Sequence, residues 1–199
     1  MNEIERTLRG AAAGLPEAPA FLAERAAEEG LLDVAYASVD SPLGPILVAA
    51  TERGLVCSSY TDLRGEEGVL ELLADRLSPR VLAAPARLDH VRRQLDEYFH
   101  GRRTSFELPL DWALTRGFTT EVLRATARIG FGHTSTYAGV AAEAGSPRAV
   151  RAAGNALGSN PMPVIVPCHR VLRSGGALGG YTGGVERKEF LLRLEGVLA

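Results

Sequence analysis

"SPRAVRAAGNALGSNPMPVIVPCHRVL", residues 146–172, decides how the chain is read. Its first part opens with Ser146 as a helix N-cap and Pro147 at the first helical position, a strong start signal. Small residues follow at Ala149, Ala152, Ala153, Gly154 and Ala156, which let a helix approach another surface closely. Its second part sets prolines into an apolar run. These exclude a long helix and predict a rigid, extended path. The path ends at Pro167-Cys168-His169-Arg170. A buried structural thiol needs no imidazole beside it, whereas a nucleophilic thiol needs a group to take its proton. The base needs an orienting group in turn, and Glu186, Glu189 and Glu195 in the last helical stretch are the nearby choices.

Outward from this stretch, the second half reads as helical and punctuated by glycine. "FTTEVLRATARIGFG" is an amphipathic helix ended by glycine, and "TYAGVAAEAG" is a short helix. Joined to the 146–160 helix by "AGSP", it makes the pattern of a helix-turn-helix. "RSGGALGGYTGG" has six glycines in twelve residues, a loop whose backbone can lie against a ligand. "VERKEFLLRLEG" closes the chain as an amphipathic helix. Towards the N-terminus, turn signals separate three short apolar runs and predict antiparallel strands near 34–39, 45–50 and 55–60. Cys57 falls in the third, as a small core residue. "EEGVLELLADRL" and "RLDHVRRQLDEYFHG" have helical spacing, and "SFELPLDW" is an extended link. Residues 1–30, rich in Ala, Glu and Arg, read as a helical extension. The domains are therefore set at 1–30, 31–110 and 111–199.

Composition bounds the function. The 199 residues suffice for one large or two small domains, and 46% hydrophobic with 23% charged residues is ordinary for a globular protein. No apolar run reaches the roughly 20 residues of a membrane span, and "MNEIERTLRG" lacks the apolar core of a secretory signal. Two distant cysteines argue against a disulfide framework and for a reducing compartment, the cytoplasm. The net charge of −2 hides an asymmetry: residues 116–199 hold ten basic and five acidic residues, and residues 1–115 hold twelve and nineteen. A basic C-terminal half hints at a polyanionic partner. Lys188 is the only lysine among 22 basic residues, read as a mark of genomic composition. Cys168 and His169 lack two further metal ligands at usual spacings. A cysteine hydrolase fits poorly, because adjacent Cys and His differ from the usual distant pairing.

"NPMPVIVPCHRVL" closely resembles the active-site signature of the O6-alkylguanine-DNA alkyltransferases: Asn-Pro, a proline two further on, an apolar run, then Pro-Cys-His-Arg-Val. The resemblance runs without gaps from about Phe118 to Glu195, and more loosely from about Tyr36. It takes in "GHTSTY", the "SPRAVRAAGNAL" helix, "GGYTGG" and the bacterial phrase "QLDEYFHGRRTSFELPL". It implies an α/β N-terminal ribonuclease-H-like domain followed by a mainly helical C-terminal domain with a helix-turn-helix of winged-helix type. It also implies direct, irreversible, stoichiometric transfer of the alkyl group from O6-alkylguanine in double-stranded DNA to the protein's own cysteine, and leaves open whether O4-alkylthymine is a substrate.

The roles implied by the resemblance are these. Cys168 accepts the alkyl group; His169 takes its proton through a water, and Glu195 polarises His169. Asn160 braces the loop. Tyr137 packs at the DNA backbone turn and donates to the purine. Arg151 enters the base stack from a DNA-binding surface that includes Ala149, Ala152 and Gly154. Leu157, Pro163, Val171, Tyr181 and Thr182 shape the substrate pocket. Thr182 stands where the family usually has Ser, and "FTTEVL" carries Thr119 and Leu123 in place of the usual Gln and Trp. No cofactor is expected. No metal is expected either, since the cysteine and histidine set of the zinc-binding animal members is missing. The chain is expected to act as a monomer, away from membranes. The main rival is a reader of alkylated bases, but such alkyltransferase-like proteins lack the acceptor cysteine. Regulatory members carry extra domains that this chain lacks.

Overall fold

Turn residues between short apolar runs fold the first part of the chain into a meander. The computed structural model describes residues 25–26 and 29–198, so most of the expected 1–30 helical extension lies outside the described residues. β1 (Val34–Val39), β2 (Ile46–Thr51) and β3 (Gly54–Tyr60) pair antiparallel in sequence order. Alternation gives the sheet two apolar faces. Val34, Leu47 and Ala49 point one way, and Ala35, Ala37, Ile46 and Val48 the other. At Ala49/Ala50 the register slips by one residue of β3, so Val56 and Cys57 both join the first face.

After a single helical turn, α1 (Thr61–Arg64), α2 (Glu66–Arg76) lays Val69 and Leu73 on that face. β4 (Val81–Ala83) then runs parallel to β1 and completes the order β3-β2-β1-β4. The sequence reading has no strand there, because three residues cannot display an alternation. A 3₁₀ turn (Pro85–Leu88) leads into α3 (Asp89–Phe99), which buries Val91, Leu95, Tyr98 and Phe99 against the other face. The link that follows runs beside β3: Leu55 N–H donates to Pro109 O and Asp111 N–H to Leu55 O, each at 2.8 Å.

The rest is mainly helical, with one short two-stranded ladder: α4 (Phe118–Ala127), β5 (Ser135–Thr136), α5 (Tyr137–Glu143), α6 (Val150–Gly158), β6 (Val171–Leu172) and α7 (Val185–Leu194). α6 packs on α4 and α5. Its Val122, Val140, Ala153 and Leu191 neighbourhood belongs to the same apolar cluster as Val48 and Leu95. A sheet-containing N-terminal part and a helical C-terminal part thus share one core. No described helix is long and apolar enough to cross a membrane.

Two expectations are corrected. Ser146 does not cap α6, which starts at Val150 with Ala149 as its N-cap. Ser146 instead closes α5 through its N–H to Ala141 O and opens a separate turn by accepting from Ala149 N–H. The 160–167 segment is not extended either. It winds in turns, with Val166 N–H bonded to Met162 O and Cys168 N–H to Val166 O, both at 2.8 Å. Prolines at 161, 163 and 167 bar a helix but not successive turns.

Candidate active site

Cys168 sits in the 3₁₀ turn Cys168–Arg170, immediately after Pro167. Asn160 shapes the turn. Its Oδ1 accepts from Met162 N–H at 3.0 Å, and its Nδ2 donates to Val166 O at 2.8 Å and to Cys168 Sγ at 3.2 Å. One amide therefore ties both ends of the loop and the sulfur. At its apex Val164 holds φ = +73°. A β-branched residue in the left-handed region stores strain on the order of 1–3 kcal/mol. The edge of β3 helps to hold it: Ser58 N–H donates to Pro161 O at 2.9 Å and Ser58 Oγ to Pro163 O at 2.6 Å.

The thiol is 5% exposed, and burial pushes it up to about 11, against the pull of Asn160 and Lys188. The resting sulfur is thus protonated. Cys57, under α2, is pushed up to about 12 by burial and is an inert core thiol. His169 is wholly buried, and burial lowers its basicity, so its ring is neutral. Its Nε2 lies 2.9 Å from Glu195 Oε1. A carboxylate only accepts, so Nε2 carries the hydrogen and Nδ1 presents a lone pair. Nδ1 is the one buried side-chain nitrogen or oxygen without a hydrogen-bond partner among the described residues. Of the three glutamates that the sequence leaves open, the fold selects Glu195. Burial raises its carboxyl, but bonds from His169 and Arg170, helped by Tyr98, outweigh that and hold it down to about 2.

A two-residue parallel ladder, Ser135 with Val171 and Thr136 with Leu172, places Tyr137 near the cysteine turn. Thr136 caps α5 by accepting from Gly139 N–H at 3.0 Å. A cavity of about 230 Å³ opens there, lined by Cys168, by Tyr137, Gly154 and Leu157, and by Tyr181 and Thr182 of the glycine loop. Thr182 Oγ1 bonds Gly158 O at 3.0 Å, joining the loop to the end of α6. Glycine is required in the loop: a Cβ on Gly179, at φ = +69°, would stand 2.9 Å from the Tyr137 hydroxyl, and one on Gly183 would stand 2.6 Å from the Tyr60 ring. Pro163 lines a neighbouring cleft, and Val171 is buried, with its carbonyl accepting from Lys188 Nζ at 2.6 Å. Arg151 and Ala152 are exposed on α6, and Ala149 is half-buried at its start.

Residues 34–112 match the 6-O-methylguanine DNA methyltransferase ribonuclease-like domain, and residues 117–197 match the DNA binding domain of the same family. The chain belongs to the 6-O-methylguanine DNA methyltransferase family. It is 41% identical over 160 residues to the methylated-DNA–protein-cysteine methyltransferase of Methanosarcina barkeri, covering 80% of this chain and 96% of that protein. The crystal structure of the Mycobacterium tuberculosis O6-methylguanine methyltransferase superimposes with a TM-score of 0.69 at 36% identity, over 83% of this chain and 94% of the other. A structure of M. tuberculosis OGT in complex with DNA gives 0.64 at 34% identity, over 81% and 92%.

Within this 6-O-methylguanine DNA methyltransferase fold, two residues of the site escaped the sequence reading. Lys188 is buried in α7, where Nζ also reaches Gly180 O at 3.4 Å. Burial lowers it to about 8, and the sulfur of Cys168 opposes that fall. Its signal was available: a lone lysine seven residues before Glu195 lies on the same helical face. Tyr98 donates to Glu195 Oε1 at 2.6 Å from the opposite half of the chain. In sequence it reads as one more apolar position of α3, after Val91 and Leu95.

Proposed function

We propose that the protein repairs DNA by moving the alkyl group of O6-alkylguanine onto Cys168, once per molecule. The observation that carries this reading is the buried thiol on a cavity, beside a neutral imidazole whose free Nδ1 lone pair is set by the Nε2–Glu195 bond. Family membership supplies the substrate class. The thiol proton passes through a water to His169 Nδ1. The sulfur attacks the alkyl carbon in line; the S–C bond forms as the C–O6 bond breaks, and its electron pair leaves on guanine. Donors that meet this developing charge lower the barrier. Tyr137 supplies one, and the departing base takes up one proton from solvent, which balances the thiol proton that His169 received and returns to solvent. The thioether has no hydrolysis route, so the protein is consumed.

The partner on this reading is double-stranded DNA carrying alkylated bases. α5 and α6 form the helix-turn-helix, with the glycine loop as its wing, and the sheet-containing part is ribonuclease-H-like. The lesion is hidden inside the duplex, so the base is rotated into the cavity at a cost of a few kcal/mol. Arg151 fills the gap, while Ala149, Ala152 and Gly154 let α6 come close to DNA. The protein acts as a cytoplasmic monomer, and its two thiols are free. Intact-mass analysis after incubation with O6-methylguanine duplex tests the proposal. The expected result is one added methyl on the Cys168 peptide, lost in Cys168→Ala, which still binds DNA. Repeated turnover, or transfer surviving Cys168→Ala, overturns it.

A further inference from the structure

The carboxylate behind His169 is held from both halves of the chain. Glu195 Oε1 accepts three hydrogen bonds: from His169 Nε2 at 2.9 Å, from Arg170 at 2.8 Å and from Tyr98 at 2.6 Å. Oε2 accepts from Arg170 Nε at 2.8 Å. The Tyr98 bond is the shortest of these, in the range of a charge-assisted O–H···O contact. Tyr98 comes from α3, 97 residues away in sequence. Its ring is fully buried and fixed edge-on between Phe99 and Phe131, at 5.4 and 6.2 Å, with Phe106 tilted against it at 5.2 Å. The ring cannot swing, so the hydroxyl has one place to point. Packing alone would be served equally by phenylalanine. A buried hydroxyl is costly unless it is bonded, and this one is aimed at the atom that faces the imidazole.

We propose that Tyr98 is a positioning residue for the proton relay, setting through Glu195 Oε1 how strongly His169 draws the thiol proton; this rests on the alkyl-transfer reading. The phenol donates to the oxygen that also accepts from His169, so it draws charge away from that contact. The imidazole then stays neutral at rest and takes up the proton only as the sulfur attacks. Burial raises the phenol well above its usual range, so it remains a donor throughout. The other groups that act on this pair are few. His169 also feels Arg170 and Lys188, both opposing its protonation, and its ring stands edge-on to Tyr181. Arg170 is locked between Glu195 and the Ile129 carbonyl. In consequence the helical part does not hold a complete relay by itself; the sheet-bearing part supplies its last hydrogen bond.

Tyr98→Phe keeps the ring and removes the bond. Single-turnover transfer is measured across pH with O6-methylguanine duplex and with free O6-benzylguanine, alongside the melting temperature. Loss of this donor predicts a slower rate on both substrates on the acid side of the profile, where the imidazole is already protonated, with the alkaline plateau unchanged or higher. Without the phenol, Oε1 is more basic and so is His169, and the acid limb of the pH–rate profile moves to higher pH. Phe106→Leu is the packing control, expected to melt lower with the acid limb in place. Unchanged rates and profile in Tyr98→Phe overturn the assignment, as does an equal shift in Phe106→Leu. Absence of transfer by the unaltered protein would instead overturn the alkyl-transfer reading itself.

Discussion

Cys168 is a protonated thiol at neutral pH, and its reactivity depends on proton removal during the attack. A free cysteine thiol titrates at about 8.5, and a neighbouring imidazole network commonly draws it lower. The structure places Cys168 at about 11, because burial penalises the thiolate more than Asn160 and Lys188 favour it. Glu195 is the residue on which pH acts most clearly. Its carboxyl stands at about 2 in the fold against an ordinary value of 4.5. A depressed acid stabilises the fold fully above 4.5. Between 4.5 and 2 the unfolded chain takes up a proton that the folded one refuses, so the contribution shrinks and is gone below about 2. Glu195→Gln removes that dependence and leaves Arg170 buried without its anion, at a cost of roughly 3–5 kcal/mol. We expect this variant to melt lower at pH 7, to lose less stability on acidification, and to transfer roughly a hundredfold more slowly for want of an oriented base. Urea titrations at pH 7 and pH 3 with rates at pH 7 check it; equal acid sensitivity in both proteins would refute the Glu195 account.

At the scale of elements, α6 presents two different faces. Ala153, Ala156 and Leu157 are buried against the core, while Arg151 and Ala152 stand in solvent. Gly154 faces the Tyr137 ring, where a Cβ would meet it at an ordinary 3.7 Å, so small size there favours close approach without being forced by backbone strain. Arg151 shares no hydrogen bond or ion pair with the thiol site among the described residues, and on the proposed reading it serves the opening of the duplex. Arg151→Ala should slow repair of O6-methylguanine in duplex DNA by ten-fold or more while leaving the rate with free O6-benzylguanine within about two-fold, since extrusion costs a few kcal/mol only when there is a stack to open. Paired single-turnover assays decide it, and an equal fall in both rates would move Arg151 into the chemistry.

In the molecule as a whole, the two parts are expected to unfold as one body. They share an apolar cluster, and polar ties cross between them. Ser58 holds Pro163, Tyr98 holds Glu195, and Arg187 binds Asp62 and the Leu43 carbonyl while lying 4.3 Å over the Tyr60 ring. Ser58→Ala leaves a buried carbonyl without its donor, a cost of about 1–3 kcal/mol. In a protein of this size each kcal/mol lowers Tm by roughly 2–4 °C. The shift should appear as a single transition, with Trp112 fluorescence and far-ultraviolet dichroism coinciding. Separate transitions would show that the parts are independent.

Much of this was written in local signals. Turn residues between short apolar runs are enough to delimit β1 to β3, and helical periodicity marks α2 to α7, because those patterns depend only on neighbours in the chain. Pro-Cys-His-Arg offers a candidate nucleophile beside a candidate base for the same reason: they are adjacent. What the sequence could not decide were contacts made across distance. β4 is too short to show a period, and only pairing with β1 makes it a strand. Ser146 has a capping side chain but spends its backbone on closing the previous helix. Spacing alone left three glutamates open, the family resemblance pointed to Glu195, and tertiary packing surrounds that residue with Arg170, His169 and Tyr98. The height of the Cys168 pKa, the burial of Lys188 and the hydroxyl of Tyr98 were likewise settled by the fold, because desolvation and hydrogen bonding at a site depend on what the rest of the chain brings to it.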